Sequence, residues 1–115
     1  MAQGNLKFTH VKGDTFNMVT FQVKVNTVAV NLTGATIRMQ LRKKPDDITA
    51  VLSLTSVASA GITITSPTTG TFKINEQVIN IEVGTYSYDI EIAYASGIVK
   101  TYIAGIFTIT PEITR

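Results

Sequence analysis

β-Branched side chains constrain the fold of this chain more than any other feature of its sequence. It contains 11 Val, 14 Ile and 18 Thr among 115 residues. These side chains lose rotameric freedom in a helix and fit well on a pleated surface. Apolar and polar residues also alternate with the period of a strand, most clearly in residues 35–42: Ala35, Ile37, Met39 and Leu41 alternate with Thr36, Arg38, Gln40 and Arg42. Composition and pattern together predict an all-β fold.

Short strand-like segments alternate with turn signals along the chain, a spacing typical of a sandwich or barrel. The predicted strands span residues 6–11, 16–25, 35–42, 50–54, 62–65, 71–75, 85–93, 98–103 and 106–110. Residues 77–83 fit either a further strand or an irregular crossover. Residues 98–110 fit either two strands or one strand kinked at Ala104 and Gly105. We therefore predict one domain, residues 1–115, with seven to nine strands.

The second predicted strand, residues 16–25, contains a break in its pattern. Its later half places Val19, Phe21, Val23 and Val25 on one face. Phe16 and Met18 fall out of phase with that face. A shift of one residue turns every side chain to the other side of a strand, so a bulge or a change of sheet is predicted near Met18.

Charge and cysteine content exclude several functional classes. The net charge is +2, and the densest basic run, Arg42, Lys43 and Lys44, is followed closely by Asp46 and Asp47. A nucleic-acid partner needs a clustered basic face, so none is expected. The chain has no cysteine, which excludes thiol chemistry and fits a reducing compartment. No apolar run approaches 18 residues and the first residues are polar, so neither a membrane span nor a signal peptide is expected.

Catalytic groups are sparse. His10 is the single histidine, and no nucleophile motif accompanies it. Asp89 and Glu91 share a strand face roughly 7 Å apart, a spacing near that of glycosidase carboxylates, but no third polar group is implied. Asp46 and Asp47 fit a solvated turn better than a calcium loop. We predict that the chain is not an enzyme and holds no cofactor or metal.

Two surface features remain as candidate binding sites. Tyr94 and Tyr102 are the more exposed candidates for stacking on a sugar, whereas Tyr86 and Tyr88 share a face with core isoleucines. The outward face of residues 38–42, with Arg38 and Arg42, fits either a solvated sheet or a docking surface, because arginine is enriched at interfaces.

The order and spacing of several segments resemble immunoglobulin-like bacteriophage virion domains, including the N-terminal domain of baseplate upper proteins. The segments are 13–16 (GDTF), 32–42 (LTGATIRMQLR), 61–65 (GITIT), 84–92 (GTYSYDIEI) and 105–115 (GIFTITPEITR). The resemblance implies an immunoglobulin-like antiparallel β-sandwich, a place in the virion and no catalysis. It supplies no functional residues.

From this resemblance we predict an accessory virion protein that decorates and stabilises a phage capsid. The alternatives are a tail or baseplate adaptor and a carbohydrate-binding host-attachment module. The expected partners are other virion proteins, foremost the major capsid protein, bound in many copies, with no nucleic acid and no membrane. We favour the capsid exterior over the tail, after assembly in the host cytoplasm. The candidate protein-interface residues are Arg38, Arg42, Lys43, Lys44, Thr114 and Arg115.

Overall fold

Strands dominate the structure, a computed structural model that describes residues 4–44 and 46–113. Within those ranges there are thirteen strands, two short 3₁₀ segments (Val57–Ser59 and Pro67–Thr69) and no α-helix. The strands are β1 (Gly4–Asn5), β2 (Phe8–Val11), β3 (Thr15–Phe16), β4 (Val19–Gln22), β5 (Lys24–Val25), β6 (Val28–Ala29), β7 (Thr36–Arg42), β8 (Leu52–Thr55), β9 (Ile62–Ser66), β10 (Thr71–Ile74), β11 (Gln77–Val78), β12 (Gly84–Ala93) and β13 (Val99–Thr110). The predicted all-β fold is confirmed, and several predicted strands are divided into shorter ones.

The larger sheet has six strands, in the order β1-β13-β12-β7-β8, with β2 also paired to β13. Its centre is antiparallel, because β12 pairs with β13 on one side and with β7 on the other. Strands β1 and β2 run parallel to β13. Two early strands therefore lie beside β13.

The smaller sheet contains three strands, in the order β4-β10-β9. The chain leaves β3 at Phe16, where the pairing partner is β11, and enters β4 at Val19, where the partner is β10. This transition confirms the predicted change of sheet near Met18. The two sheets form an immunoglobulin-like β-sandwich, as predicted, which is antiparallel except where β1 and β2 pair with β13.

Alternate residues of the facing strands build the core between the sheets. On the larger sheet, the buried side chains of β7 and β12 are those that the alternation predicted: Ile37, Met39, Leu41, Tyr86, Tyr88, Ile90 and Ile92. Phe72 and Ile74 of β10 contribute to the same cluster from the smaller sheet. Because these strands bury one face, their opposite faces are left for solvent or for a partner.

The β5–β6 hairpin departs from the predicted alternation. Val25, which we predicted to share an inward face with Val23, is 39% exposed and lies opposite Val28. Asn26 and Thr27 form the tip with φ of 50° and 67°, as the two-residue type I′ turn requires. Among the described residues, the two strands of this hairpin pair with each other and with no further strand.

The last strand, β13, is continuous from Val99 to Thr110. Its register against β12 shifts beside Ile103, because Ile90 lies opposite Ile103 whereas Glu91 lies opposite Thr101. Tyr102 is therefore the extra residue of a bulge. The irregularity occurs just before Ala104 and Gly105, where we had placed the kink.

Tyrosine hydroxyls tie two strands to neighbouring loops. The Tyr86 hydroxyl donates to the carbonyl oxygen of Glu82, four residues earlier, at 2.6 Å. This contact has the geometry of the tyrosine corner found in immunoglobulin-like sandwiches. The Tyr88 hydroxyl donates to the carbonyl oxygen of Leu6, which fastens the segment before β2 to the larger sheet.

Candidate binding site

The outward face of the larger sheet is polar and charged. Ser87, Asp89 and Glu91 of β12 alternate with buried tyrosines and isoleucines, so they point away from the core. Cross-strand pairing places Arg42, Gln40 and Arg38 of β7 opposite them, in that order. The two central strands therefore present three matched pairs of polar side chains on one surface.

A cavity of about 560 Å³ opens on this face. Small residues of β13 form one side of it, since Ala104 lies opposite Asp89 and Gly105 lies opposite Tyr88. Their lack of bulk leaves room beside the taller charged side chains of β12. The cavity is lined by Arg38, Gln40, Arg42, Asp47, Ser87, Tyr88, Asp89, Glu91, Ala104 and Gly105.

Arg38 and Glu91 form an ion pair across β7 and β12. The side chain of Arg38 is 54% exposed and that of Glu91 is 27% exposed. An exposed pair of this kind adds at most about 1 kcal/mol to folding, because water and salt screen it. Its main consequence for the cavity is that each charge already has its counter-charge.

Arg42 is held by neutral acceptors. Its Nε donates to the carbonyl oxygen of Asp47 and its Nη1 donates to Oε1 of Gln40, each at 2.8 Å. The carboxylate of Asp47 in turn accepts a hydrogen bond from the backbone N–H of Lys44, at 3.2 Å. These contacts fix the loop after β7 against the cavity.

Asp89 differs from the other charged groups of the cavity. Its side chain is exposed, and its carboxylate makes no hydrogen bond or ion pair with the residues that the structure describes. Desolvation within the cavity raises the pKa of Asp89, and neighbouring Glu91 raises it further, against smaller opposing effects of Arg42 and Arg38. Asp89 thus offers an acceptor that the protein itself leaves unused.

An exposed apolar side chain stands beside the charged cavity. Ile48 directly follows Asp47, whose carbonyl oxygen is bound by Arg42, and is 96% exposed. Val51, in the same loop, is 38% exposed. A single exposed apolar residue is ordinary, but here its loop is fastened to the cavity by a hydrogen bond.

The structure brings together two of the six predicted interface residues. Arg38 and Arg42 both line the cavity. Lys43 and Lys44 are exposed just beyond it, with Lys43 Nζ 4.0 Å from a carboxylate oxygen of Glu82. Thr114 and Arg115 lie outside the described residues.

Sequence reasoning considered Asp89 and Glu91 only as a catalytic pair and did not join them to Arg38 and Arg42. The alternation of β12 and β7 puts both sets on outward faces. Their proximity depends on the antiparallel register of two strands that are distant in sequence. Ala104 and Gly105 were singled out only as a possible kink and gave no signal of a cavity, because their contribution is the space that they leave.

Other candidate groups have structural roles. The His10 ring lies with Nε2 2.9 Å from the carbonyl oxygen of Asp14, and it packs edge-on against Phe16 at 5.5 Å. Tyr94 and Tyr102, predicted as exposed sugar-stacking residues, are half-buried against the core. The Tyr102 hydroxyl donates to the carbonyl oxygen of Gln22 at 3.0 Å. Both residues are more exposed than the buried Tyr86 and Tyr88, as predicted.

No group of three or more metal-ligating side chains occurs within residues 4–44 and 46–113. In the same part of the chain, no helix has the length and apolar character needed to cross a membrane.

Comparison with known proteins gives similarity of shape alone. No family model and no curated protein matches the chain. Among solved structures, the chain is similar to the crystal structure of CopC from Methylosinus trichosporium OB3b, with 13% identity and a TM-score of 0.49. The match covers 94% of this chain and 88% of that one.

The function predicted from sequence is contradicted by this comparison, since the similar structure is a CopC protein and not a virion protein. The correction applies to the capsid decoration role and to its tail-adaptor and carbohydrate-binding alternatives. The low identity and TM-score transfer no activity from CopC to this chain. The resemblance to phage domains, the virion location and the virion partners stay predictions without a test.

Proposed function

We propose that this chain is a non-enzymatic binding domain, and that it recognises a segment of a partner protein in the cavity on the larger sheet. The single observation that carries the proposal is the cavity itself. It lies on the outward face of β7, β12 and β13, with charged side chains around it and small residues along one side. A sheet face that contacts only solvent has no function for such a recess.

The composition of the recess favours a protein as the partner. Protein interfaces combine arginine and apolar anchors at their centre with a polar rim. Here Arg38 and Arg42 lie in the cavity, and Ile48 is fully exposed beside it. The volume of about 560 Å³ falls within the range of pockets that enclose a compact ligand group, about 300–1,000 Å³.

A peptide-display selection against the purified chain tests the proposal, with a variant that fills the cavity. Ala104→Leu adds a branched side chain along the β13 side of the recess. Thr108→Leu is the matched control, because it adds the same side chain on the same strand and face, outside the lining residues. Binding of each enriched peptide to the three proteins is then measured by fluorescence anisotropy.

We expect selected peptides to bind wild type and Thr108→Leu within about twofold of each other. Ala104→Leu should weaken binding by about tenfold or more, equivalent to about 1.4 kcal/mol. Circular dichroism and thermal unfolding check that both variants fold. A failure to enrich any peptide, or peptides that bind folded Ala104→Leu as well as wild type, would contradict the proposal.

A further inference from the structure

We infer that the cavity receives a basic side chain, lysine or arginine, of the partner protein, with Asp89 as its counter-charge. This inference rests on the proposed function and names the group that the binding domain recognises.

The charges of the cavity do not balance. Two arginines face three carboxylates, those of Asp47, Asp89 and Glu91, although the chain as a whole carries a net charge of +2. The lining of the cavity thus carries an excess of negative charge, whereas exposed Lys43 and Lys44 lie just beyond it. A positively charged group is the complement of that lining.

The existing contacts identify the group that remains available. Glu91 is neutralised by Arg38, and Asp47 accepts from the Lys44 backbone N–H. Only the Asp89 carboxylate, among the acidic groups that line the cavity, makes no hydrogen bond or ion pair with the described residues. A carboxylate that is partly removed from water gains most from a cationic donor placed directly against it.

The shape of the recess suits a long side chain. Ala104 lies directly opposite Asp89 and Gly105 is its neighbour on β13, so the surface beside the carboxylate is low and uncharged. The methylene stem of a lysine or arginine packs on such a surface while its charged head reaches a polar partner. The cavity therefore offers both parts that these amphipathic side chains need.

Ile48 indicates that the cation belongs to a protein. The Ile48 side chain is 96% exposed, and a free amine bound in the cavity would leave it exposed to water. A peptide segment extends beyond its basic residue and covers apolar surface at the rim, as interface residues around a buried anchor do.

Arg42 presents the competing possibility of an acidic guest. Two of its nitrogens already donate hydrogen bonds, to Asp47 and to Gln40, whereas Asp89 has no such partner. The observations therefore favour a basic guest over an acidic one, and the experiment includes both.

NMR titration of the full chain labelled with ¹³C and ¹⁵N tests the inference with three capped tripeptides: acetyl-Gly-Lys-Gly-amide, its norleucine analogue and its glutamate analogue. The norleucine peptide keeps the aliphatic stem and removes the charge. We expect saturable shifts of the Ser87, Asp89, Ala104 and Gly105 amides with the lysine peptide alone. Binding of the lysine peptide should also lower the apparent pKa of the Asp89 carboxyl, followed by its ¹³C shift.

Asp89→Asn removes the counter-charge with almost no change of shape. We expect it to weaken binding of the lysine peptide by about tenfold, as loss of a charged hydrogen bond does. Glu76→Gln is the matched control, because Glu76 is an exposed carboxylate outside the cavity lining. This control should bind like wild type.

The inference is overturned if the norleucine or glutamate peptide binds as well as the lysine peptide, if Asp89→Asn binds unchanged, or if no tripeptide shifts the cavity amides. Such a failure is distinct from failure of the proposed function. If display selects peptides that lack basic residues but still bind Ala104→Leu more weakly than wild type, that result would support the proposed binding site and contradict the basic guest.

Discussion

The hydroxyl of Tyr86 offers a direct test of the tyrosine corner. Tyr86 is 2% exposed, and its hydroxyl donates to the Glu82 carbonyl oxygen at 2.6 Å. Replacing Tyr86 with Phe keeps the ring in the core and removes only this bond. The Glu82 residue is exposed, so water can replace the lost donor at its carbonyl oxygen.

The expected cost follows from the net value of a neutral hydrogen bond, about 1 kcal/mol. An unfolding entropy of about 2.1 cal/mol/K per residue corresponds to roughly 0.24 kcal/mol/K for a chain of 115 residues. Dividing the first by the second predicts that Tyr86→Phe lowers Tm by about 4 °C. The urea m-value should not change, because the same surface is exposed on unfolding.

Thermal and urea unfolding followed by circular dichroism measure both quantities, with Tyr94→Phe as the control. The Tyr94 ring is also half-buried against the core, but no hydrogen bond of its hydroxyl joins it to the described residues. That control should shift Tm by less than about 2 °C, in line with substitutions that break no specific contact. Equal shifts in the two variants would show that the hydroxyl bond of Tyr86 does not stabilise the fold.

Three further predictions concern the backbone, the core and pH. Gly70→Ala places a Cβ 2.6 and 2.7 Å from two backbone carbonyl oxygens at φ +69°, whereas the Cβ of Gly97→Ala meets nothing within 4 Å at φ +93°. We expect Gly97→Ala to lower the free energy of unfolding by about 1–2 kcal/mol and Gly70→Ala to lower it by more, both measured by urea unfolding. Ile90→Ala replaces a residue with no exposure and should lower the free energy of unfolding by about 2–5 kcal/mol. Ile98→Ala replaces an exposed residue and should lower it by less than about 0.5 kcal/mol. Similar losses in the two variants would contradict the assigned core. Burial raises the pKa of Tyr88 to about 12, above the unfolded value of about 10. The unfolded chain therefore loses this proton first, and the free energy of unfolding falls as pH rises through that interval. Tyr88→Phe should reduce the fall of the urea midpoint with pH, and a fall equal to that of wild type would refute this prediction.

The fold was largely predictable because the core strands carry a regular alternation. Ile37 and Met39 of β7 and Ile90 and Ile92 of β12 occupy the buried positions that this pattern assigns. The pattern failed at Val25, since alternation reports a potential face but not whether a second sheet covers it. Strand pairing was also beyond reach, because the same alternation fits many neighbours.

The candidate site was only half predictable. Arg38 and Arg42 were recognised as an outward polar face, because the alternation of apolar and polar residues within a single strand is enough to assign its two faces. Asp89 joins them because β12 pairs with β7 in one particular register. The recess exists because Ala104 is small at a position where another residue type would fit the sheet equally well, and sequence alone does not reveal that consequence.

The parallel pairing of β2 with β13 also determines when this protein can fold. Phe8 pairs with Phe107, and the Thr110 side chain bonds to the carbonyl of His10, 100 residues earlier. During synthesis at about 5–20 residues per second, β2 leaves the ribosome roughly 5–20 s before its partner. Contacts at such sequence separation carry a loop-closure cost before they stabilise anything. The larger sheet can therefore be completed only after translation of β13, and we expect slow, all-or-none folding that begins once the last strand has emerged.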